Sequence, residues 1–419
     1  MYRALSVLTA AVALGAVLVA HPSTDARGAL SNVEGQQAPP AQQGGGGRGR
    51  GRGVAIQPGQ ECPPGTTLVR VGVCQAPEFP PPSIVDYRPR TTLVVSEHPV
   101  PRAKFPAVDI HSHTGPTPQT IDQLLKDMDA LNIRVLNNLS GGYGAELKQK
   151  TDYIRSTKHA DRFTVFANGV DGFRDVGPAY GQKAAAQLEA DVKAGAIGLK
   201  IFKQTGMDQV KRDGTRLKIS DPELAPLWDA AGRLNIPVII HTAEPQEFFS
   251  PLDLKNERWL ELALFADRRQ FLNPHKVTFE QLIAERNELF RKHPKTRFIA
   301  AHFGWHANNL ALAGKLLDEH PNVVLEIAAI IYDLGRQPRA AREFFVKYQD
   351  RVLFGKDTYA PTEFPTYWRV LESRDEYFDY FRGYHAFWKM YGMELPDPVL
   401  RKLYNQNALR VTPGMPRIQ

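Results

Sequence analysis

Eight short β-rich runs, each followed by a segment of helical period, occupy the chain from residue 104 onward and constrain its fold more than any other feature. They are AVDIH (107–111), IRVLNN (133–138), FTVFA (163–167), AIGLKIF (196–202), PVIIH (237–241), RFIAAH (297–302), VVLEIA (323–328) and VLFG (352–355). The intervening segments have recognisable helix faces and ends. Ile121, Leu124, Leu125, Met128 and Leu131 share one helical face. Asp221 and Pro222 supply an N-cap and a first-turn proline, Thr278 with Gln281 a capping box, and Gly195 the stop for a helix that begins near Lys183. Strand and helix repeated eight times over about 300 residues predict a (β/α)8 TIM barrel rather than an open sheet. The barrel is placed at 104–412, with a tail at 413–419.

The remainder of the chain reads differently. Arg3, an apolar stretch over 4–20 and small residues at its end have the layout of a secretory signal peptide, assigned to 1–29. The alternative, a membrane anchor, is short of the roughly 20 residues a span needs. Residues 30–60, with QQAPPAQQGGGGRGRGRG at 36–53, predict a flexible Gly/Arg/Pro-rich linker. Residues 61–103 predict a small Cys-containing, Pro-rich arm with short strands at 68–73 and 91–95. Cys62 and Cys74, the two cysteines of the chain, are expected to pair if the protein is exported. Export to the periplasm or the extracellular space is therefore the expectation.

Composition then excludes some classes of function. With 42% hydrophobic and 23% charged residues the chain is neither disordered throughout nor a polytopic membrane protein. The net charge of +7 could suggest nucleic acid, but residues 1–103 hold nine arginines, no lysine and six acids, leaving the barrel nearly balanced. No nucleic-acid partner and no stable membrane span after signal cleavage are expected. A small-molecule substrate is, and homo-oligomerisation is left open.

Chemistry collects where barrel strands end. The first run closes on His111 and His113, two apart on a strand and so able to converge. The fifth ends in His241, the sixth in His302, and Asp357 follows the eighth; Lys200 lies in the fourth. Taken singly, each has a structural reading: a hydrogen-bonded core histidine, a helix-capping aspartate, an outward lysine. Together, His111, His113, Lys200, His241, His302 and Asp357 have the ligand chemistry of a divalent metal site, Zn2+ first, with Mn2+ or Fe2+ as alternatives and one or two ions. Trp305, His306, Glu244, Glu326, Asn137 and Asn138 are weaker candidates at the barrel mouth, and the long segment 245–277 is expected to shape a substrate lid.

The motifs VDIHSH, VIIHTAE, FIAAHFG, RVLFGKD and the late Asn407-Ala408-Leu409-Arg410, in this order, resemble the amidohydrolase superfamily over residues 104–412. The resemblance is strongest to its amidohydrolase-related branch, which includes enzymes of the aminocarboxymuconate-semialdehyde decarboxylase type. It implies that His111, His113, His241 and Asp357 are metal ligands and that His302 contacts the reacting group or binds a second metal. It also places Lys200 where binuclear relatives carry a carboxylated, bridging lysine. Lys356, read as an outward surface residue, departs from the small residue many relatives place before the aspartate. The expected function is hydrolysis of an amide, lactone or ester by metal-activated water, with Asp357 moving the proton and His302 orienting water or stabilising charge. Two alternatives remain open: nonhydrolytic decarboxylation of a small carboxylate at the same site, and a noncatalytic barrel kept for binding.

Overall fold

The computed structural model describes residues 53–385 and 387–418, so the expected signal peptide and the linker up to residue 52 lie outside the described residues. The chain divides into two compact units between Pro81 and Pro82. The first holds an antiparallel sheet of β1 (Val54–Ala55), β2 (Thr67–Arg70) and β3 (Val73–Gln75) in the order β1-β3-β2. One strand was predicted over 68–73; a hairpin replaces it, because Gly72 adopts φ 74° and turns the chain back. Cys62 and Cys74 form a disulfide with their Cα atoms 5.7 Å apart. Val54 and Ala55, within the stretch expected to be linker, pair with Cys74 and Val73.

The second unit begins with a stretch, 82–106, that has neither helix nor strand. The strand predicted at 91–95 does not form. Val94 is 93% exposed, and the Thr91 hydroxyl accepts the Leu93 backbone N–H, a local bond made in place of a ladder.

Nine parallel strand segments follow: β4 (Ala107–Ser112), β5 (Ile133–Asn138), β6 (Phe163–Val165), β7 (Ala167–Asn168), β8 (Leu199–Ile201), β9 (Val238–Ile240), β10 (Phe298–Ala300), β11 (Val323–Glu326) and β12 (Val352–Leu353). All fall on the eight predicted runs, the third run supplying both β6 and β7. They pair in the orders β4-β5-β6 and β7-β8-β9-β10-β11-β12. Backbone bonds link the far edge of β12 to β4: Ile110 N–H donates to Phe354 O at 3.2 Å, and Asp357 N–H donates to His111 O at 2.6 Å.

Alternation along the strands splits the core in two. Val238, Ile240, Phe298, Ala300, Val323 and Leu325 pack outward against the helices, whereas Ile239, Ile299 and Val324 pack inward with Val108, Ile110, Val135 and Leu353. Ala408, Val411 and Met415 join the inner cluster, so the tail at 413–419 packs on it through Met415.

The helices end as their sequences predict. In the helix Ile121–Leu131, Leu124, Leu125, Met128 and Leu131 are buried. Thr278 and Gln281 form a reciprocal capping box ahead of Phe279–Lys292. Gly195, at φ 120°, terminates Tyr180–Ala194 while its N–H bonds to the carbonyls of Asp191 and Val192.

Candidate metal centre

The predicted residues meet at the carboxyl ends of the strands. Lys200, between outward-facing Leu199 and Ile201, is directed inward and fully buried. Continued alternation from Val108 and Ile110 would turn Ser112 inward. The register of β4 against β5 slips between Asp109 and Ser112, and His111 enters the mouth instead. Donor atoms of His111, His113 and Asp357 lie within 4.8 Å of one another, as do those of His111, His302 and Glu326. His241 joins through His302, its Nδ1 standing 3.1 Å from His302 Nε2. The Lys200 amine approaches His111 Nε2 at 3.3 Å.

The hydrogen bonds behind the imidazoles determine which nitrogen faces the centre. His111 Nδ1–H donates to Glu326 at 2.9 Å and His302 Nδ1–H donates to Ala328 O at 2.9 Å, so both Nε2 atoms carry lone pairs. His113 is held at Nδ1 by the Ser140 hydroxyl, and its Nε2 lies 3.5 Å from Asp357 Oδ1. Glu244 stands 3.4 Å from His241 Nε2, which has no hydrogen-bond partner among the described residues, and His241 Nδ1 faces the lone pair of His302 Nε2. Two imidazole nitrogens on one tetrahedral Zn2+ would stand about 3.3 Å apart, close to the 3.1 Å between His241 Nδ1 and His302 Nε2. The donor set fits a divalent metal.

Burial keeps the imidazoles neutral and ready to ligate: His113 and His302 are each pushed down to about 4, and His111 and His241 are lowered for the same reason. Burial also brings the Lys200 ammonium down to about 8, against the pull of Asp357 and Glu326. Burial would raise Asp357, but His111, His302, His113 and Lys200 around it hold its carboxyl well below the usual range. Backbone strain gathers at these same strand ends. Ala243, His302, Phe303, Trp305, Ala329 and Asp357 all have φ between 55° and 80°, conformations that cost of order 1–3 kcal/mol each in non-glycine residues.

The weaker candidates separate by role. Glu326 is fully buried and accepts three hydrogen bonds, from His111 Nδ1–H, from His302 N–H at 2.6 Å and from Ala328 N–H at 2.6 Å. It orients ligands rather than lining the mouth. Asn137 ties Ile110 O to the Thr164 hydroxyl, and Asn138 accepts the Ser140 N–H, so both brace β5. Trp305 stacks on His302, with ring centroids 4.7 Å apart, and lines the cavity; His306 is buried against Phe279. Lys356, expected outside, is 2% exposed, because its amine turns inward to Thr358 O at 2.7 Å and to Glu363. Sequence reasoning missed Lys203, Arg258, Arg268, Arg382 and His385, which line the same cavity. They stand on connections after strands, where no run or spacing marks them; Arg258 and Arg268 do fall in the segment 245–277 expected to shape a lid.

A partly buried cluster of imidazoles and a carboxylate at the ends of parallel strands is the make-up of a metal-dependent α/β enzyme. The family model described as Amidohydrolase matches residues 108–413, and the chain belongs to that family. Among solved structures of similar shape, 2,6-dihydroxybenzoate decarboxylase from Rhizobium is 16% identical, with a TM-score of 0.45, covering 74% of this chain and 98% of its own. A dihydroxybenzoic acid decarboxylase from Polaromonas, with bound manganese and 2-nitroresorcinol, is 14% identical at a TM-score of 0.45, covering 73% and 96%. The 4-oxalomesaconate hydratase of Rhodopseudomonas palustris is 15% identical at 0.44, covering 74% and 96%. No curated protein matches the chain in sequence.

Proposed function

We propose that the protein is a metal-dependent decarboxylase of a small carboxylate, working at a centre held by His111, His113, His241 and Asp357. The supporting observation is a cavity of about 200 Å3, lined by His241 and Asp357 of that set, whose wall carries Lys203 and three arginines against Glu244 and Glu261. So small and cationic a space suits a compact anion better than a neutral amide or ester. The bonds from β12 back to β4 support closure of the eight strands into a (β/α)8 barrel.

Zn2+, Mn2+ or Fe2+ at this donor set would supply a Lewis acid that polarises a substrate oxygen. Glu326 and Ala328 O hold the two imidazoles in the tautomer that points Nε2 at the centre. Loss of CO2 leaves an electron pair on carbon that must take a proton from solvent, and Asp357, which lines the cavity, is placed to relay it.

A second reading, hydrolysis of an amide, lactone or ester, is favoured by one feature. Asp357 is kept ionised well below the usual carboxylate range and so is a ready base for water. Turnover in 18O-labelled water separates the two: CO2 release without label in the organic product supports decarboxylation, and label in the product supports hydrolysis. Under either reading His113→Ala removes a ligand, and both metal content and turnover should be lost. Full turnover by that variant refutes the centre.

The apolar stretch behind Arg3 and the Cys62–Cys74 disulfide support export to the periplasm or beyond. Fractionation of the native host tests it, and a purely cytosolic, full-length chain would contradict it. Among the described residues no helix is long and apolar enough to cross a membrane.

A further inference from the structure

The wall of the cavity carries more positive charge than its own carboxylates neutralise. Buried Glu261 is shared by two guanidiniums: Arg258 donates to it through Nε at 2.7 Å, and Arg268 also bonds to it. Glu363 is likewise shared, by the Lys356 ammonium and by Arg382, whose Nη2 stands off at 3.6 Å. In both places one carboxylate serves two cations. Among the described residues no side chain accepts a hydrogen bond from the Arg382 guanidinium, although Arg382 lines the same cavity as His302 and Asp357.

His385 cannot supply the missing negative charge. Its ring takes a hydrogen bond from Arg258 Nη2 at 2.9 Å, and burial together with Arg258, Arg382 and Arg268 around it keeps the imidazole uncharged. Guanidiniums from two separate segments, 258–268 and 382, therefore converge on one neutral ring. Asp357, the carboxylate on the cavity floor, faces His111 and His113. The unused donors are planar forks, the geometry that matches a carboxylate through two parallel bonds.

The geometry points to a substrate with two anionic ends: one group reacts over Asp357 and His302, and a second, remote carboxylate is held by Arg382 and Arg268. This rests on the metal-dependent reading and adds to it the substrate class and the residues that select it. A planar ring suits the space between, since Trp305 and Tyr332 also line the cavity.

The test uses the metal-loaded full chain and two isosteric probes, isophthalate and 3-carbamoylbenzoate, which differ by one carboxylate. Calorimetry should give about 10- to 100-fold tighter binding of isophthalate, the range expected of charge-assisted hydrogen bonds. Arg382→Gln should erase that preference with metal content unchanged, and Arg382→Lys, which keeps the charge but not the fork, should retain part of it. Arg268→Gln, altering a side chain that is one-third exposed, provides a second variant should the first fold poorly. Arg374→Gln removes a guanidinium outside the cavity and should change nothing. Equal affinity for the two probes, no binding of isophthalate, or an unchanged preference in both Arg382→Gln and Arg268→Gln overturns the inference. Protein that retains no metal yet still prefers isophthalate through Arg382 would sink the metal reading and leave this one standing.

Discussion

Replacing Glu326 with glutamine tests whether the centre is set by its supporting hydrogen bonds. Glu326 is entirely buried and acceptor-only, and its three donors are His111 Nδ1–H, His302 N–H and Ala328 N–H. Glutamine has nearly the same shape, but one of its two terminal atoms is an NH2 that must face at least one of those donors. If the amide oxygen keeps the His111 side, the nitrogen meets Ala328 N–H. If it turns over, the His111 proton loses its acceptor, and the ring can shift its proton to Nε2, the ligating atom. Leaving a buried donor unsatisfied costs about 1–3 kcal/mol. Loss of a partner behind a metal-bound imidazole typically weakens metal binding by about 10- to 100-fold, or about 1.4–2.8 kcal/mol. Competitive chelator titration of the folded variant should show a loss in that range, and urea unfolding of the metal-free form should show the stability cost. A variant that unfolds at the same urea concentration as the wild type and binds metal as tightly would refute the claim that Glu326 sets the tautomer.

Three further outcomes are expected. Lys200→Met removes the buried amine 3.3 Å from His111 Nε2 but leaves the imidazoles and Asp357, so elemental analysis should still find one metal equivalent per chain. Two equivalents in the wild type and one in the variant would instead assign a second ion to Lys200. Thr278→Ala breaks the capping box of Phe279–Lys292 and should cost about 1 kcal/mol, seen as a fall of the thermal midpoint without change in metal content. In the metal-free protein His302 stays neutral down to about 4 in the folded state, against 6.5 when unfolded. The unfolded chain therefore takes up a proton first as pH falls, and stability should drop between pH 6.5 and 4 by about 3 kcal/mol for this buried site. A urea midpoint independent of pH across that window would contradict the burial argument.

Much of the architecture was legible because it is local. A continuous apolar run becomes a strand wherever both faces are covered, and Thr278 with Gln281 caps a helix whatever packs against it. Likewise, a polar residue that ends a run, such as His241, His302 or Asp357, is carried to the carboxyl end of its strand by the run itself. From residue 104 onward, spacing alone thus determined the strands, the helix ends and the residues that could form a metal site. Only the tertiary structure decided how those residues are used, because the deciding contacts join distant segments. The register slip of β4 against β5 admits His111 in place of Ser112. Glu326, 215 residues further along, selects its ligating nitrogen, and Glu363 draws Lys356 inward from a surface position. The surplus charge of the cavity belongs to the same class, since Arg268 and Arg382 become a pair only where folding leaves too few carboxylates between them.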